Sequence, residues 1–166
     1  MRLGAAGDGG NTGFHLRTVT DANVDLLIQL EVAPDQRGLV APVAKSLAQA
    51  SVRAAGRPLG IYDGEQPVGL LLLWDVRRDP DEPADQLYVW RLMIDAKHQK
   101  KGYGARTMRW VIDEARRLGV ASVGLSHQTL PGHAGPFYEK LGFRYTGKVE
   151  HDEHVMQLLL SEVNRG

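Results

Sequence analysis

One stretch decides the fold: between a predicted strand and a predicted helix, the chain reads LMIDAKHQKKGYGA at residues 92–105. It is a short basic loop that ends in Gly-x-Gly at Gly102 and Gly104, directly before the clearest helical pattern of the chain. Glycines allow a sharp turn and a close approach to a ligand. The free N–H groups of a first helical turn lie at the positive end of the helix dipole, which suits a pyrophosphate. The stretch indicates either a phosphate-binding loop or an ordinary solvated basic loop.

Two common nucleotide motifs do not fit this loop. A dinucleotide-binding fingerprint requires a third glycine where Thr107 stands. A Walker loop requires Gly-Lys followed by Ser or Thr, which is absent here. Neither motif therefore accounts for the glycines.

The helix after the loop, predicted over Gly102 to Leu118, is amphipathic. Its apolar residues fall on one face at helical spacing, and its charged residues fall elsewhere. Gly119 is placed to end it. Such a helix packs its apolar face on a core, and its first turn lies next to the Gly-x-Gly loop.

Working outward, the rest of the chain alternates short apolar runs with three further helical patterns. Strands are predicted over Phe14 to Val19, Pro58 to Tyr62, Val68 to Val76, Gln86 to Asp95, Val120 to Ser126, Phe143 to Val149 and Val155 to Leu160, and further helices from Thr20 or Asp21 to Pro34, over Val43 to Ala55 and over Pro131 to Leu141. The Asp63-Gly64 pair predicts a hairpin. This order predicts one mixed α+β domain over residues 14–166, after a flexible lead-in over residues 1–13.

Composition excludes several classes of protein. Lys plus Arg and Asp plus Glu number 20 each, so no net charge draws the chain to nucleic acid or to an anionic membrane. Without cysteine there is no disulfide, no thiolate metal site and no cysteine nucleophile. The longest apolar run, Val68 to Trp74, is too short to span a bilayer, and residues 1–13 do not read as a signal peptide. We expect a cytoplasmic protein.

Two motifs resemble those of the GCN5-related N-acetyltransferases. Gln99-Lys100-Lys101-Gly102-Tyr103-Gly104 is similar to the family's Gln/Arg-x-x-Gly-x-Gly/Ala signature, and Phe137 to Phe143 resembles its Tyr-x-x-Leu-Gly-Phe helix end. Their spacing and the order of elements are also the family's, over about residues 14–160. The resemblance implies a central, mostly antiparallel, twisted sheet of six to seven strands with helices on both faces. It also implies transfer of an acetyl group from acetyl-coenzyme A to a primary amine.

The resemblance also implies roles for particular residues. In the family, the strand before the loop splays from its neighbour and pairs with the pantetheine arm, and the loop holds the pyrophosphate. Carried over, the cofactor-binding residues are Leu92, Met93, Ile94, Gln99, Lys100, Lys101, Gly102, Tyr103, Gly104, Ala105 and Lys140. Tyr138 matches the position that protonates the departing thiolate, although an aromatic residue closing the core is the structural alternative. Many relatives carry an Asn before this helix; here residues 131–136 have none, and His133 is a possible substitute.

More narrowly, the chain resembles the bacterial spermine/spermidine-type branch, on Trp90 to Asp95 and on short upstream matches. A polyamine needs carboxylates, because its ammonium groups are charged at neutral pH. Acidic residues on segments that flank the family's acceptor groove are Glu31, Asp35, Glu150, Asp152 and Glu153, and Glu153 and Glu31 are the candidates for the general base. Solvation of the surface is the ordinary role of such residues.

Other readings stay open. His151 and His154 point to opposite faces of a strand and have no third ligand at supporting spacing, so no metal site is expected. The aromatic residues are not interleaved with a basic patch, so a nucleic-acid partner is not expected either. If the acceptor is not a polyamine, the alternatives are a protein N-terminus, an aminoglycoside or an amino acid. The alternative outside the enzymes is a catalytically silent acetyl-coenzyme A sensor. A homodimer is one possible assembly.

Overall fold

A computed structural model describes residues 2–3, 13–38, 40–129 and 134–160. Eight strands and four α-helices follow one another in the order expected from the sequence. They are β1 (Arg2–Leu3), β2 (Phe14–Thr18), α1 (Val24–Ile28), α2 (Val43–Ser51), β3 (Gly56–Asp63), β4 (Gln66–Asp75), β5 (Gln86–Ile94), α3 (Tyr103–Leu118), β6 (Ser122–His127), α4 (Gly135–Lys140), β7 (Arg144–Glu150) and β8 (Glu153–Leu159).

All eight strands form one sheet in the order β1-β2-β3-β4-β5-β6-β8-β7. Only β5 and β6 pair in parallel, because α3 carries the chain back between them; the other pairs are antiparallel. The predicted mixed, mostly antiparallel sheet is therefore confirmed. The eighth strand is Arg2–Leu3, which pairs with β2 although residues 1–13 had been expected to be a flexible lead-in. Residues 1 and 4–12 of that segment lie outside the described residues.

Helices cover both faces of the sheet, as the resemblance implied. On one face, α3 and α4 contribute Met108, Val111 and Tyr138 to the larger apolar cluster. On the other face, α1 and α2 contribute Leu27 and Val43 to a smaller cluster. Neighbouring residues of a strand point to opposite faces, so β5 supplies both clusters.

Three predicted helix boundaries were wrong. The first helix ends at Ile28, well before Pro34, because the backbone of Glu31 forms hydrogen bonds to the loop after β5 instead of continuing the helix. The second helix ends at Ser51, since Gly56 already belongs to β3. The last helix begins at Gly135, and residues 131–133 of its predicted start lie outside the described residues. No described helix is long and apolar enough to cross a membrane.

Candidate active site

A cleft of about 1120 Å³ opens where β5 separates from β6. The parallel pairing of the two strands, as described, reaches as far as Val89 and Leu125. In the pairing of β4 with β5, Leu72 faces Arg91 and Leu73 faces Val89, so Trp90 is an extra residue in β5. An extra residue of this kind bends a strand and increases its twist. The bulge at Trp90 therefore coincides with the mouth of the cleft.

The second half of β5 supplies one wall of this cleft. Leu92, Met93 and Ile94 stay paired with β4 on one side and line the cleft. Their other backbone edge lies beyond the last described pair with β6. A strand edge of this kind offers N–H and C=O groups to an extended ligand, as in β-strand addition. All three residues line the cleft, and their pairing with the pantetheine arm stays a prediction.

The loop before α3 forms one end of the cleft. Gly102 has a φ of 85°, a left-handed conformation that favours glycine, and no side chain caps the helix that follows. Lys100, Gly102, Tyr103, Gly104 and Ala105 line the cleft. The backbone N–H groups of the first helical turn consequently remain available to an anion.

Two polar side chains of this loop fasten it to its surroundings. The Gln99 side-chain amide donates to the Gln36 carbonyl oxygen at 2.6 Å and to the backbone oxygen of Ile94 at 3.1 Å. The Tyr103 hydroxyl donates to Asp63 at 2.6 Å, a hydrogen bond that raises the pKa of Tyr103. Gln99 lines the cleft, but its amide N–H groups are used within the protein. Its side chain therefore fastens the loop, and binding of the cofactor by Gln99 stays a prediction.

Tyr138 lies in the wall of the cleft formed by α4. Its ring packs edge-on against Phe137 and Phe143, and only 9% of the residue is exposed. Burial raises the pKa of the Tyr138 phenol to about 12. The side chain is thus the core aromatic of the structural alternative, and its protonated phenol belongs to a residue that lines the cleft.

Glu153 is the better placed of the two candidate bases. It lines the cleft half-buried, and its carboxylate accepts a hydrogen bond of 2.8 Å from the hydroxyl of Ser126. Glu31 also lines the cleft, but its side chain is 76% exposed and its carboxylate lies 3.9 Å from the guanidinium of Arg37. Because Glu31 is exposed and already lies near Arg37, it is less well placed than Glu153 to meet an amine inside the cleft. The geometry therefore favours Glu153.

A tight turn sets the position of Glu153. His151 and Asp152 connect β7 to β8 with φ angles of 49° and 62°, which are unusual for residues other than glycine. Glu153 is the first residue of β8 and pairs with Glu150 across the turn. Such strain persists only where the surrounding structure holds it. His151 therefore lies in a turn and not, as the sequence suggested, on a strand.

Several predicted residues lie away from the cleft. Lys101 and Lys140 are exposed and are not among the residues that line it, and neither are the acidic candidates Asp35, Glu150 and Asp152. His133 lies outside the described residues. Within the described ranges, no group of three His, Asp or Glu residues is arranged to hold a metal ion.

Sequence reasoning missed the polar residues on the α2 side of the cleft. Arg91, Lys45 and Ser126 all line it, and Arg91 donates to the hydroxyl of Ser46 at 3.1 Å. Burial lowers the pKa of Arg91, while the carboxylate of Glu153 acts in the opposite direction. The bulge that turns Arg91 into the cleft has no signature in the sequence. A basic residue inside an otherwise apolar strand, Leu87 to Ile94, was the available signal.

Several known proteins resemble this chain in sequence or in fold. The chain is 26% identical over 147 residues to spermine/spermidine N(1)-acetyltransferase of Bacillus subtilis, an alignment that covers 86% of this chain and 96% of that protein. An acetyltransferase from Thermus thermophilus has the same fold, with a TM-score of 0.70 at 22% identity, over 89% and 97% of the two chains. The paiA N-acetyltransferase from Thermoplasma acidophilum, solved in complex with coenzyme A, gives a TM-score of 0.65 at 13% identity, over 89% and 99%.

The sequence profile of the acetyltransferase (GNAT) family matches residues 30–143. This range runs from the segment after α1 to the end of the Tyr-x-x-Leu-Gly-Phe motif, and it contains both motifs on which the resemblance rested. Because the profile matches more than half of the chain, this protein belongs to the acetyltransferase (GNAT) family and is an acetyl-coenzyme A-dependent N-acetyltransferase.

Proposed function

We propose that the protein acetylates a polyamine such as spermidine or spermine, with Glu153 as general base and Tyr138 as general acid. The observation that carries the proposal is that these two groups line one cleft together with the open edge of β5. Acid–base catalysis needs both groups within reach of one reacting centre. Two similar proteins support this substrate class: spermine/spermidine N(1)-acetyltransferase of Bacillus subtilis and a spermidine N-acetyltransferase from Vibrio cholerae.

The residues of the cleft fit acetyl-coenzyme A. The α3 N-terminus and Lys100 would hold the pyrophosphate, and the edge of β5 at Leu92, Met93 and Ile94 would pair with the pantetheine arm. A Cβ placed on Gly104 would meet only the Phe137 ring, at 3.7 Å, so the cradle has room for a ligand next to this backbone. Acetyl-coenzyme A supplies the acetyl group as a thioester, which is activated toward amines.

The proton balance gives each residue one task. Glu153 takes one proton from the acceptor ammonium, whose nitrogen lone pair then forms the C–N bond. As the C–S bond breaks, Tyr138 donates its proton to the sulfur. The nitrogen then loses its second proton, which returns to the Tyr138 phenolate, and Glu153 releases the first proton to water. A backbone N–H of the β5 edge, aimed at the thioester oxygen, would stabilise the negative charge that develops there.

For a polyamine, the second ammonium group needs an anionic partner. Glu31 is suited to this, because it lines the same cleft and keeps its carboxylate at the surface. A partly exposed pair of this kind contributes about 0.2–1 kcal/mol. The KM for a polyamine should therefore be lower than the KM for a monoamine, and it should rise as the salt concentration is raised.

The test is an acetyl-coenzyme A consumption screen over spermidine, spermine, putrescine, aminoglycosides, peptides and a simple monoamine. We expect the polyamines to give the highest kcat/KM at low salt. If polyamines react no faster than the monoamine, the substrate class is wrong, and if no amine reacts, the protein is a sensor and not an enzyme. A Glu31→Gln variant should lose the preference and keep its affinity for acetyl-coenzyme A.

A further inference from the structure

Arg91 is a cation fixed on the acceptor side of the cleft, in a position that the proposed chemistry does not yet use. It follows the bulge at Trp90 and lies half-buried on the sheet face that carries α2. Its guanidinium donates to the Ser46 hydroxyl at 3.1 Å and stacks over the Trp90 ring, 4.7 Å from the ring centre. These two contacts, one from a helix and one from its own strand, hold the positive charge in place.

The charged groups around Arg91 leave its charge uncompensated at short range. Among the described residues, no carboxylate lies within 4.0 Å of its guanidinium, and Glu153 acts on it from farther away. Arg53 adds a second positive charge nearby and also lies over the Trp90 ring, 5.3 Å from the ring centre. The further charged and titratable groups on the elements that meet here are Lys45 on α2, Tyr88 on β5, Glu150 on β7 and the Glu31–Arg37 pair after α1.

An amine acceptor enters such a cleft as an ammonium ion and must become neutral before it can attack. A neighbouring cation in a half-buried site disfavours the charged form of the amine, while a carboxylate on the other side takes the proton. Arg91 and Glu153 both line the cleft and supply these opposite charges. Ser126 fixes Glu153 and Ser46 fixes Arg91, so both charges are held before the acceptor arrives.

We propose that Arg91 promotes loss of the proton from the acceptor amine, because its guanidinium disfavours the ammonium form next to Glu153. This inference rests on the proposed function and adds a residue to it. One N–H bond of the ammonium breaks, the proton passes to the carboxylate of Glu153, and the nitrogen keeps the electron pair for attack. The second ammonium of a polyamine would lie toward Glu31, away from Arg91, and would keep its charge.

The experiment measures the single-turnover rate as a function of pH, with enzyme saturated by acetyl-coenzyme A and amine. For spermidine, Arg91→Gln should lower the rate at pH 7 by about tenfold and move the apparent pKa of the rate upward by about one unit. The two enzymes should converge at high pH, where the amine is neutral without help. Arg91→Lys keeps the charge and should retain most of the rate.

Trifluoroethylamine separates this effect from a structural one. Its fluorines make it a weak base that is already neutral at pH 7, so Arg91→Gln should leave its rate within about twofold. Arg116→Gln is the matched control, since it removes an exposed cation of α3 that does not line the cleft, and its pH profile should match the wild type. If Arg91→Gln does not fold, Arg91→Met offers the same comparison with a side chain of similar length.

Two results would overturn the inference alone. In both, the wild type acetylates amines. In the first, Arg91→Gln loses the same fraction of the rate with spermidine as with trifluoroethylamine. In the second, the pH profile of Arg91→Gln is not shifted. If the wild type acetylates no amine at all, the proposed function fails and this inference fails with it.

Discussion

At the scale of single residues, Tyr138 combines burial with the proposed role of proton donor. Its pKa of about 12 means that the phenol stays protonated across the whole range in which an amine acceptor becomes neutral. Among the described residues, its hydroxyl has no hydrogen-bond partner, so it is free to meet an atom of a ligand in the cleft. Burial of the departing thiolate in the same cleft raises its proton affinity as well, which favours the donation.

Replacing Tyr138 with Phe removes only the hydroxyl. The ring contacts to Phe137 and Phe143 remain, so the fold and the affinity for acetyl-coenzyme A should stay near those of the wild type. Turnover should fall by about 10²-fold or more, because the leaving group loses its proton donor. Steady-state kinetics together with calorimetry would check both parts, and an unchanged kcat would return Tyr138 to a purely structural role.

The two candidate bases can be separated by matched amide substitutions. Glu153→Gln should lower kcat at neutral pH by about 10²-fold, and the loss should shrink as pH approaches the amine's own pKa of about 10. Glu31→Gln should leave kcat nearly unchanged and raise the KM for a polyamine. The pH profiles of both variants are the measurement. A larger loss of kcat in Glu31→Gln than in Glu153→Gln would reverse the assignment.

The sequence predicted some of these residues better than others. Tyr138 and the Gly102–Gly104 loop belong to local motifs, so their place at the cleft followed from the sequence. Arg91 and Ser126 were missed because their roles depend on partners that are distant in the chain, Ser46 and Glu153. Lys101 was included through the family motif and through its charge, and neither tells which way an exposed lysine of a loop points.

At the scale of elements, the N-terminus of α3 is where the proposed binding site of acetyl-coenzyme A can be tested most sharply. Gly104→Val should fold normally, because its Cβ would meet only the Phe137 ring, at an ordinary contact distance. The added methyl groups would enter the cleft at the phosphate cradle and weaken binding of acetyl-coenzyme A at least about tenfold, or about 1.4 kcal/mol. Calorimetry on the folded variant is the check. Unchanged affinity would place the pyrophosphate elsewhere.

The β7–β8 turn makes a prediction about stability. His151 adopts a left-handed conformation that costs a residue with a Cβ about 1–2 kcal/mol. His151→Gly should relieve this strain and, after the larger unfolded-state entropy of glycine, raise the free energy of unfolding by about 0.5–1 kcal/mol. His154→Gly, in β8, is the control and should lower it. Urea denaturation measures both, and a destabilised His151→Gly would show that the turn is not strained.

Element boundaries were predictable where the stop signals were local. Gly102 and Gly119 delimit α3 as the sequence indicated, since both adopt left-handed conformations next to a strongly amphipathic stretch. The end of α1 was not predictable, because Glu31 leaves the helix to pair with Asp95 and Ala96, residues more than sixty positions away. Long-range hydrogen bonds of this kind override local helix propensity.

At the scale of the whole molecule, the order of elements was enough to predict a mixed sheet with helices on both faces. The order of elements was not enough to predict that β8 lies between β6 and β7, because the place of a strand in a sheet depends on which distant strands it pairs with. This insertion brings Glu153 next to Ser126 and so completes the cleft. The formal net charge of the chain is zero, so the charges that meet the acceptor are those of the cleft itself.

Mass spectrometry of the products of one turnover tests the account most directly. Wild-type enzyme is mixed with acetyl-coenzyme A and spermidine, and acetylated amine and free coenzyme A thiol are both quantified, with Tyr138→Phe run in parallel. The account predicts one acetylated amine for each thiol released, at a rate that is at least about 10²-fold lower in the variant. Thiol release without acetylated amine, or bound acetyl-coenzyme A that is never consumed, would contradict it.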